Sequence, residues 1–273
     1  MDIAVIIPVY NRVATLGRAI ESVLAQRLMP HEIIVVDDGS DDASSEVVKQ
    51  YDSVMLLRQK NMGVSAARNN GVMMASSEWV AFLDSDDTWH PHKLERQSAF
   101  HQEHPHLCIS YTDEQWVRHG TSVNLPQKFR KSNKNLYERS LEQCIIAPSS
   151  VMMQKKLFET VGGFDESLEV CEDYDLWLRL LQEQTFGLIS EKLITKYGGH
   201  DDQLSTKFWG MDRFRVRALE NLHVNFPHDR RIVEMLIHKY RLLLQGAHKY
   251  HRREAAHHYE QRLLYFQSLF SSL

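Results

Sequence analysis

The stretch Glu78-Trp79-Val80-Ala81-Phe82-Leu83-Asp84-Ser85-Asp86-Asp87-Thr88-Trp89 decides the fold. Trp79 to Leu83 form an apolar run too short for a helix, so residues 78–83 are predicted as a strand. Three carboxylates follow within four residues. They repel one another, and each is costly to desolvate at the end of a buried strand. A divalent cation resolves that conflict. Mg²⁺ or Mn²⁺ prefers carboxylate oxygens, takes one or two from the protein, and completes its shell with water and phosphates. Asp84-Ser85-Asp86 therefore reads as a seat for a metal that carries a diphosphate. The alternative is a solvated acidic turn capping the helix that follows Pro91. The stretch by itself does not choose between them.

Upstream, strands and helices alternate. Ile3–Val9 is a continuous apolar run, the mark of a strand buried on both faces. Leu16, Ala19, Ile20, Val23 and Leu24 fall at helical spacing. Residues 32–36 and 54–57 read as strands, and 41–51 and 64–75 as helices, the latter with Ala66, Ala67 and Gly71 for close packing. This alternation predicts an α/β fold whose sheet is mostly parallel and flanked by helices. In such sheets ligands bind outside the carboxyl ends of the strands. Tyr10-Asn11-Arg12, Asp37-Asp38-Gly39 and Asp84-Ser85-Asp86 all sit at those ends and should share one crevice, which favours the metal reading.

Downstream the pattern changes. Residues 91–104 predict a helix, 107–111 a strand, and 115–123 a hairpin around His119-Gly120. Residues 129–135 are basic and lack apolar periodicity, which suggests a mobile loop. This loop and the region around Pro148-Ser149-Ser150 are the expected seats of substrate specificity. Residues 172–181 predict a helix and 192–197 a last strand. From Trp209 onward the chain is predicted helical. Ala256, Tyr259, Leu263, Phe266 and Phe270 recur three and four apart. That seam predicts packing on the body or the neighbouring helix; a homodimer is its alternative use.

The chain has 273 residues and a formal net charge of −4, which gives no case for a nucleic-acid partner. The charge is uneven. Residues 211–273 hold 11 Lys and Arg against 6 Asp and Glu, a net +5, so residues 1–210 carry −9. Such a tail can meet an anionic membrane face or a lipid-diphosphate acceptor, or stay a solvated helix surface. Cys108, Cys144 and Cys171 are odd in number and widely spaced, pointing to a reducing compartment. The first residues show no basic n-region, and no apolar run reaches transmembrane length. The expected location is the cytoplasm, with the inner membrane face within reach of the tail.

Four segments together resemble family 2 glycosyltransferases of bacterial type: Ile7-Pro8-Val9-Tyr10-Asn11-Arg12, Val35-Val36-Asp37-Asp38-Gly39-Ser40, Gly63-Val64-Ser65-Ala66-Ala67-Arg68-Asn69 and Phe82-Leu83-Asp84-Ser85-Asp86-Asp87. Gly163-Phe164-Asp165-Glu166 and Glu172-Asp173-Tyr174-Asp175-Leu176-Trp177-Leu178-Arg179 resemble that family's acceptor-side segment. Any one segment is a weak signal; the ordered set is specific. The resemblance implies a GT-A fold over residues 1–208, with a donor half near 1–105, an acceptor half near 106–208, and a helical extension over 209–273. It further implies inverting transfer from a nucleotide sugar, a UDP-sugar, to a glycan or lipid-linked acceptor in cell-surface polysaccharide synthesis. Pro8 and Tyr10 would line the base pocket and Asp38 would meet the base edge. Arg68 would sit near the base and diphosphate, Asp84 would face the ribose or the metal, and Ser85 would join the nucleotide-sugar contacts. Asp86, with Asp84, would hold Mn²⁺ or Mg²⁺, and His200 falls where some members place a further metal ligand or phosphate contact. Asp173 matches the general base and Glu172 its neighbour.

Two other functions compete. A nucleotidyltransferase would want a phosphate loop after the first strand, where this chain has Tyr10-Asn11-Arg12. A non-catalytic sugar-nucleotide-binding scaffold would not need Asp84, Asp86 and Asp173 together. Trp89 and Trp177 read as core residues or as sugar-stacking platforms.

Overall fold

The computed structural model describes residues 1–124, 126–199 and 209–272. Its first strand, β1 (Ile3–Val9), is buried at every position, as an unbroken apolar run requires. α1 (Val13–Leu24) turns Leu16, Ala19, Ile20 and Val23 inward. β2 (Glu32–Asp37) pairs parallel with β1, placing Val9 beside Asp37. α2 (Ser44–Val48), β3 (Met55–Arg58), α3 (Val64–Met74) and β4 (Trp79–Phe82) complete a parallel half in the order β3-β2-β1-β4. α3 packs so closely that a Cβ on Gly71 would come 2.4 Å from Ile6 Cγ2.

α2 is shorter than the helix predicted over 41–51 because side chains compete for its backbone. Asp42 accepts from the Ser44 and Val13 N–H groups at 2.9 and 3.0 Å. Asp37 accepts from the Ser40 N–H at 2.9 Å.

The second half runs through β5 (Thr88–Trp89), α4 (Lys93–Glu103), β6 (Ile109–Arg118), β7 (Thr121–Val123), α5 (Leu136–Glu142), β8 (Met152–Gln154), α6 (Lys155–Thr160), α7 (Glu172–Leu181) and β9 (Gly187–Gly198). β8 lies antiparallel to β4, β6 antiparallel to β8, β9 parallel to β6, and β5 antiparallel to β9. The predicted hairpin is present: β7 pairs with β6 through His119 and Gly120, both left-handed.

β6 and β9 are longer than predicted. Residues 112–114, left unassigned between the predicted strand and the predicted hairpin, continue β6, and Asp113 and Glu114 sit at a bulge in its register with β9. Glu114 is buried and paired with Lys131 at 3.0 Å. That pair also corrects the expected mobile loop over 129–135. Lys131 is buried and donates to the Ile145 carbonyl, and Arg139 donates to the Ser132 carbonyl at 3.0 Å.

The tail forms α8 (Asp212–Asn225), α9 (Arg230–Lys249) and α10 (Arg253–Ser272). Asp229 caps α9, accepting the Arg231 N–H at 3.0 Å. Tyr259 and Phe266 of the seam are buried, and Phe266 stacks on Tyr240 with centroids 5.9 Å apart. The seam is therefore spent on the neighbouring helix. The same core takes in Leu141, Tyr174 and Leu178, so the tail rests on α5 and α7. Among the described residues no helix is long and apolar enough to cross a membrane.

Candidate active site

The turns after β1, β2 and β4 converge, as the strand pattern requires. Asn11 is left-handed at φ 52°. Its N–H donates to Ser40 Oγ at 3.0 Å, and its Oδ1 accepts the Asp41 N–H at 2.8 Å. Arg18 reaches the Asp86 carbonyl at 2.9 Å and lies 3.7 Å over the Tyr197 ring. Pro8 is buried beneath this rim, while Tyr10 is 43% exposed. Asp38 is buried and already has work. Its carboxylate accepts from the Met62 and Gly63 N–H groups at 2.8 and 2.9 Å and from Gln59 Nε2 at 2.8 Å. It thereby fixes the loop that leads into α3.

Arg68, on α3, is 3% exposed and stands between two carboxylates. One terminal nitrogen lies 2.7 Å from Asp84 Oδ1 and the other 2.7 Å from Glu172 Oε1. Burial works against the charged guanidinium, but Asp84 and Glu172 outweigh it and hold the proton more firmly than usual. Lys196, from β9, lies 2.8 Å from Asp87 Oδ2 and 3.6 Å from Asp84 Oδ2. Burial opposes its charge too, and Asp87 and Asp84 overcome that.

The carboxylates respond unequally. Burial would raise the Asp84 pKa, but Arg68 and Lys196 prevail and lower it. Burial and the Asp84 charge raise Asp86. Asp87, 1% exposed, is pushed up to about 7 by burial and by Asp84 and Asp86, against the pull of Lys196. Ser149 ties the turn down. Its hydroxyl donates to Asp87 at 2.7 Å and accepts the Asp84 N–H at 3.1 Å. Trp89 Nε1 donates to the Ser149 carbonyl at 2.8 Å. Residues 148–150 are thus a buried support for the acids, which corrects their expected role in specificity. Ser85 is buried in the same turn.

Four carboxylates (Asp84, Asp86, Asp87 and Glu172) therefore face two bonded cations, Arg68 and Lys196, with the Arg12 charge also acting on Asp86. The surplus negative charge and the hard oxygen donors of Asp84 and Asp86 fit Mg²⁺ or Mn²⁺. Among the described residues no three His, Cys, Asp or Glu side chains group as ligands. The protein's share of such a shell would be those one or two carboxylates. His200 lies outside the described residues.

The other wall is the start of α7. Cys171, left-handed at φ 67°, turns the chain so that Glu172 and Asp173 open the helix. Burial and the Asp173 charge raise the Glu172 pKa, against Arg68. Asp173 is half-buried; its Oδ1 accepts the Tyr174 N–H at 2.7 Å and its Oδ2 the Cys144 thiol at 3.2 Å. Burial and Asp173 push that thiol well above its ordinary value, so it stays protonated as a weak donor.

Asn69, beside Arg68, clamps the Gly163-Phe164-Asp165-Glu166 turn. Its Nδ2 donates to the Phe164 carbonyl and to Glu166 Oε1, both at 2.9 Å, and its Oδ1 accepts the Phe164 N–H at 3.0 Å. A Cβ on left-handed Gly163 would come 2.7 Å from Asn69 Oδ1, so the clamp needs glycine there.

Arg68, Asp84, Asp86, Glu172 and Asp173 thus belong to one cleft. Sequence reasoning missed Lys196, Ser149 and Asn69. It also missed Trp116, which donates to Glu114 Oε1 at 2.9 Å and whose ring centroid is 5.7 Å from Lys196 Nζ. Asn69 left a trace as part of the Arg68 segment, and Ser149 as part of Pro148-Ser149-Ser150, though read for specificity. Trp89 and Trp177 are buried in the core, not stacking platforms.

Comparison with known proteins bears on the family and the fold. Residues 4–162 match the model described as Glycosyl transferase family 2. An uncharacterized glycosyltransferase of Rickettsia felis is 34% identical over 200 residues, which span 70% of this chain and 32% of that relative. The chain thus covers a minor part of that longer relative. Bacillus subtilis TuaG, named for teichuronic acid biosynthesis, is 29% identical over 81% of this chain and 89% of its own length. The crystal structure of S. aureus TarS 1-349 in complex with UDP-GlcNAc aligns with a TM-score of 0.68 over 90% of this chain and 71% of that one. At 22% identity that likeness concerns the fold, and the fold is the GT-A arrangement of a mostly parallel sheet flanked by helices.

Proposed function

The chain belongs to glycosyltransferase family 2, and from that premise we propose that it transfers a sugar, with inversion, from a UDP-sugar to a glycan or lipid-linked acceptor. The observation that carries this reading is the Arg68 bridge. It joins the acids after β4 to the first turn of α7, so a donor diphosphate and an acceptor hydroxyl can meet at one point. UDP as the carrier is supported by the TarS complexes with UDP and UDP-GlcNAc. A place in surface polysaccharide synthesis is supported by the name of TuaG.

Pro8, Tyr10 and Asp38 receive the base. Asp84 and Ser85 take the ribose side, and Arg68 and Lys196 offer positive charge to the diphosphate. Asp84 and Asp86 hold Mn²⁺ or Mg²⁺, which when bound neutralises charge on the departing diphosphate. Asp173 is the base. The acceptor oxygen forms its bond to the anomeric carbon while its proton passes to the Asp173 carboxylate. The bond from that carbon to the diphosphate breaks, and its electron pair leaves with the diphosphate. Glu172, its Oε1 taken up by Arg68, holds the cleft's two walls together.

Calorimetric titration of UDP with Mn²⁺ tests the reading. Binding should require metal, disappear in Asp86→Asn and persist in Asp173→Asn. Wild-type protein that ignores UDP, or binds it equally well without metal, would overturn the assignment.

A further inference from the structure

Three arginines of the tail meet a carboxylate, while Arg217 donates to the Ser167 carbonyl at 3.4 Å and Arg230 lies over the Phe270 ring. Arg215 pairs with Asp212 at 2.9 Å, Arg231 with Asp229 at 2.9 Å, and Arg262 with Glu220 at 2.6 Å. One corner departs from this. Arg213, in the first turn of α8, and Arg252, in the turn between α9 and α10, stand 3.7 and 3.5 Å over the ring of Trp209. Two guanidiniums cannot share one ring face at those distances, so they cover opposite faces. Among the described residues neither has a carboxylate partner.

The corner is built rather than accidental. Arg213 Nε donates to the Trp209 carbonyl at 3.2 Å. Left-handed His251, at φ 54°, reverses the chain so that Arg252 returns onto Trp209. Trp209 remains 50% exposed and the neighbouring Tyr250 62% exposed. Lys249 lies 5.4 Å from the Tyr250 ring, and Arg253 is exposed beside it. Among the described residues Arg213, Lys249 and Arg252 bond to no carboxylate, and exposed Glu254 only offsets Arg253, so the corner is net positive around aromatic rings left in water and attracts an external anion.

We propose that this corner is a docking surface for an anionic lipid membrane. A carbohydrate partner would want a bare indole face, and both faces of Trp209 are covered. What remains exposed is ring edge, flanked by cations, the arrangement that seats at the headgroup level of a bilayer. Its position fits an acceptor presented by that membrane. The Met211 carbonyl lies 4.0 Å from Cys171 Sγ, and Cys171 immediately precedes Glu172 and Asp173. The surface thus adjoins the wall of the cleft assigned to the acceptor. Only this last point rests on the transferase reading.

The test is flotation with phosphatidylcholine vesicles, with and without roughly a third phosphatidylglycerol, at near-physiological salt. Wild-type protein should bind the anionic vesicles and leave the neutral ones. The Arg213→Gln, Arg252→Gln double variant should lose roughly tenfold or more in affinity. Brominated lipid should quench tryptophan emission in the wild type, and Trp209→Phe should abolish that quenching. Indifference to anionic vesicles, binding unchanged in both variants, or binding to a soluble anionic polysaccharide in place of vesicles would overturn the proposal. The measurement uses neither donor nor metal, so failed UDP binding and failed docking remain separate results.

Discussion

Two clusters of charge treat their ions in opposite ways. In the cleft, Arg68 and Lys196 are bonded to Asp84, Asp87 and Glu172, and these charges are buried or nearly so. At the corner around Trp209, Arg213 and Arg252 meet an indole and no acid of the described chain. Burial explains the difference. An ion withdrawn from water must be answered by the chain itself, whereas one at the surface can wait for a partner. The cleft is therefore assembled before any ligand arrives, and the corner is left, among the described residues, open to a partner.

The largest effect expected is on turnover. Asp173→Asn removes the proposed proton acceptor while leaving its hydrogen-bonding shape, so kcat should fall about 10²- to 10⁴-fold with UDP affinity unchanged. A variant that keeps its rate would move the base elsewhere in the cleft. Next is Arg68→Ala, which strands two buried carboxylates and should cost about 3–5 kcal/mol in urea unfolding. An unchanged midpoint would break the claim that the cleft answers its own charges. Lys196→Met should cost less, about 2 kcal/mol, because it orphans chiefly Asp87. Adding Asp87→Asn should restore much of that loss, and the double-mutant cycle measures how much.

His101 shows a third treatment of charge, which is to carry none. It is buried between the Leu107 carbonyl and Ser110 Oγ, and burial lowers its pKa from 6.5 to about 4. The unfolded chain then binds the extra proton first. The associated stability is present above about 6.5 and lost as pH falls towards 4. Thermal melts of His101→Gln should show a shallower acid limb than the wild type. The smallest effect is at the corner itself. Arg213→Gln with Arg252→Gln should change stability by no more than about 0.5 kcal/mol. A larger loss would mean that those charges are answered within the chain after all.

The parallel half of the fold was legible because buried strands announce themselves as apolar runs and their ends as acidic turns. Motif order singled out Asp84, Asp86 and Asp173, which the fold brings to one cleft. What remained hidden depends on pairing across long sequence separations. Lys196 reads as one more polar residue of an edge strand until β9 lies beside β6. Ser149 looks like part of a loop until Asp87 and the Asp84 N–H reach it from 62 and 65 residues away. The link over residues 112–114 that joins the predicted strand and hairpin into one β6 was missed because a buried Glu114 is possible only with Lys131 beside it, and nothing local in either residue reveals the other. Asp38 appeared as a ligand contact alone, yet it also organises the loop before α3.

α3 offers three consecutive side chains to three parts of the molecule: Arg68 to Glu172, Asn69 to Phe164 and Glu166, and Asn70 to Gln59, which itself holds Asp38. This row sets the terms for any hybrid enzyme. On the proposed reading, joining two relatives near residue 105 would not transplant acceptor preference, because the graft would arrive without the helix that grips it. A workable chimera has to import α3 together with the segment it clamps. Relatives that differ in this row should therefore exchange acceptor halves poorly even when their cleft acids are identical.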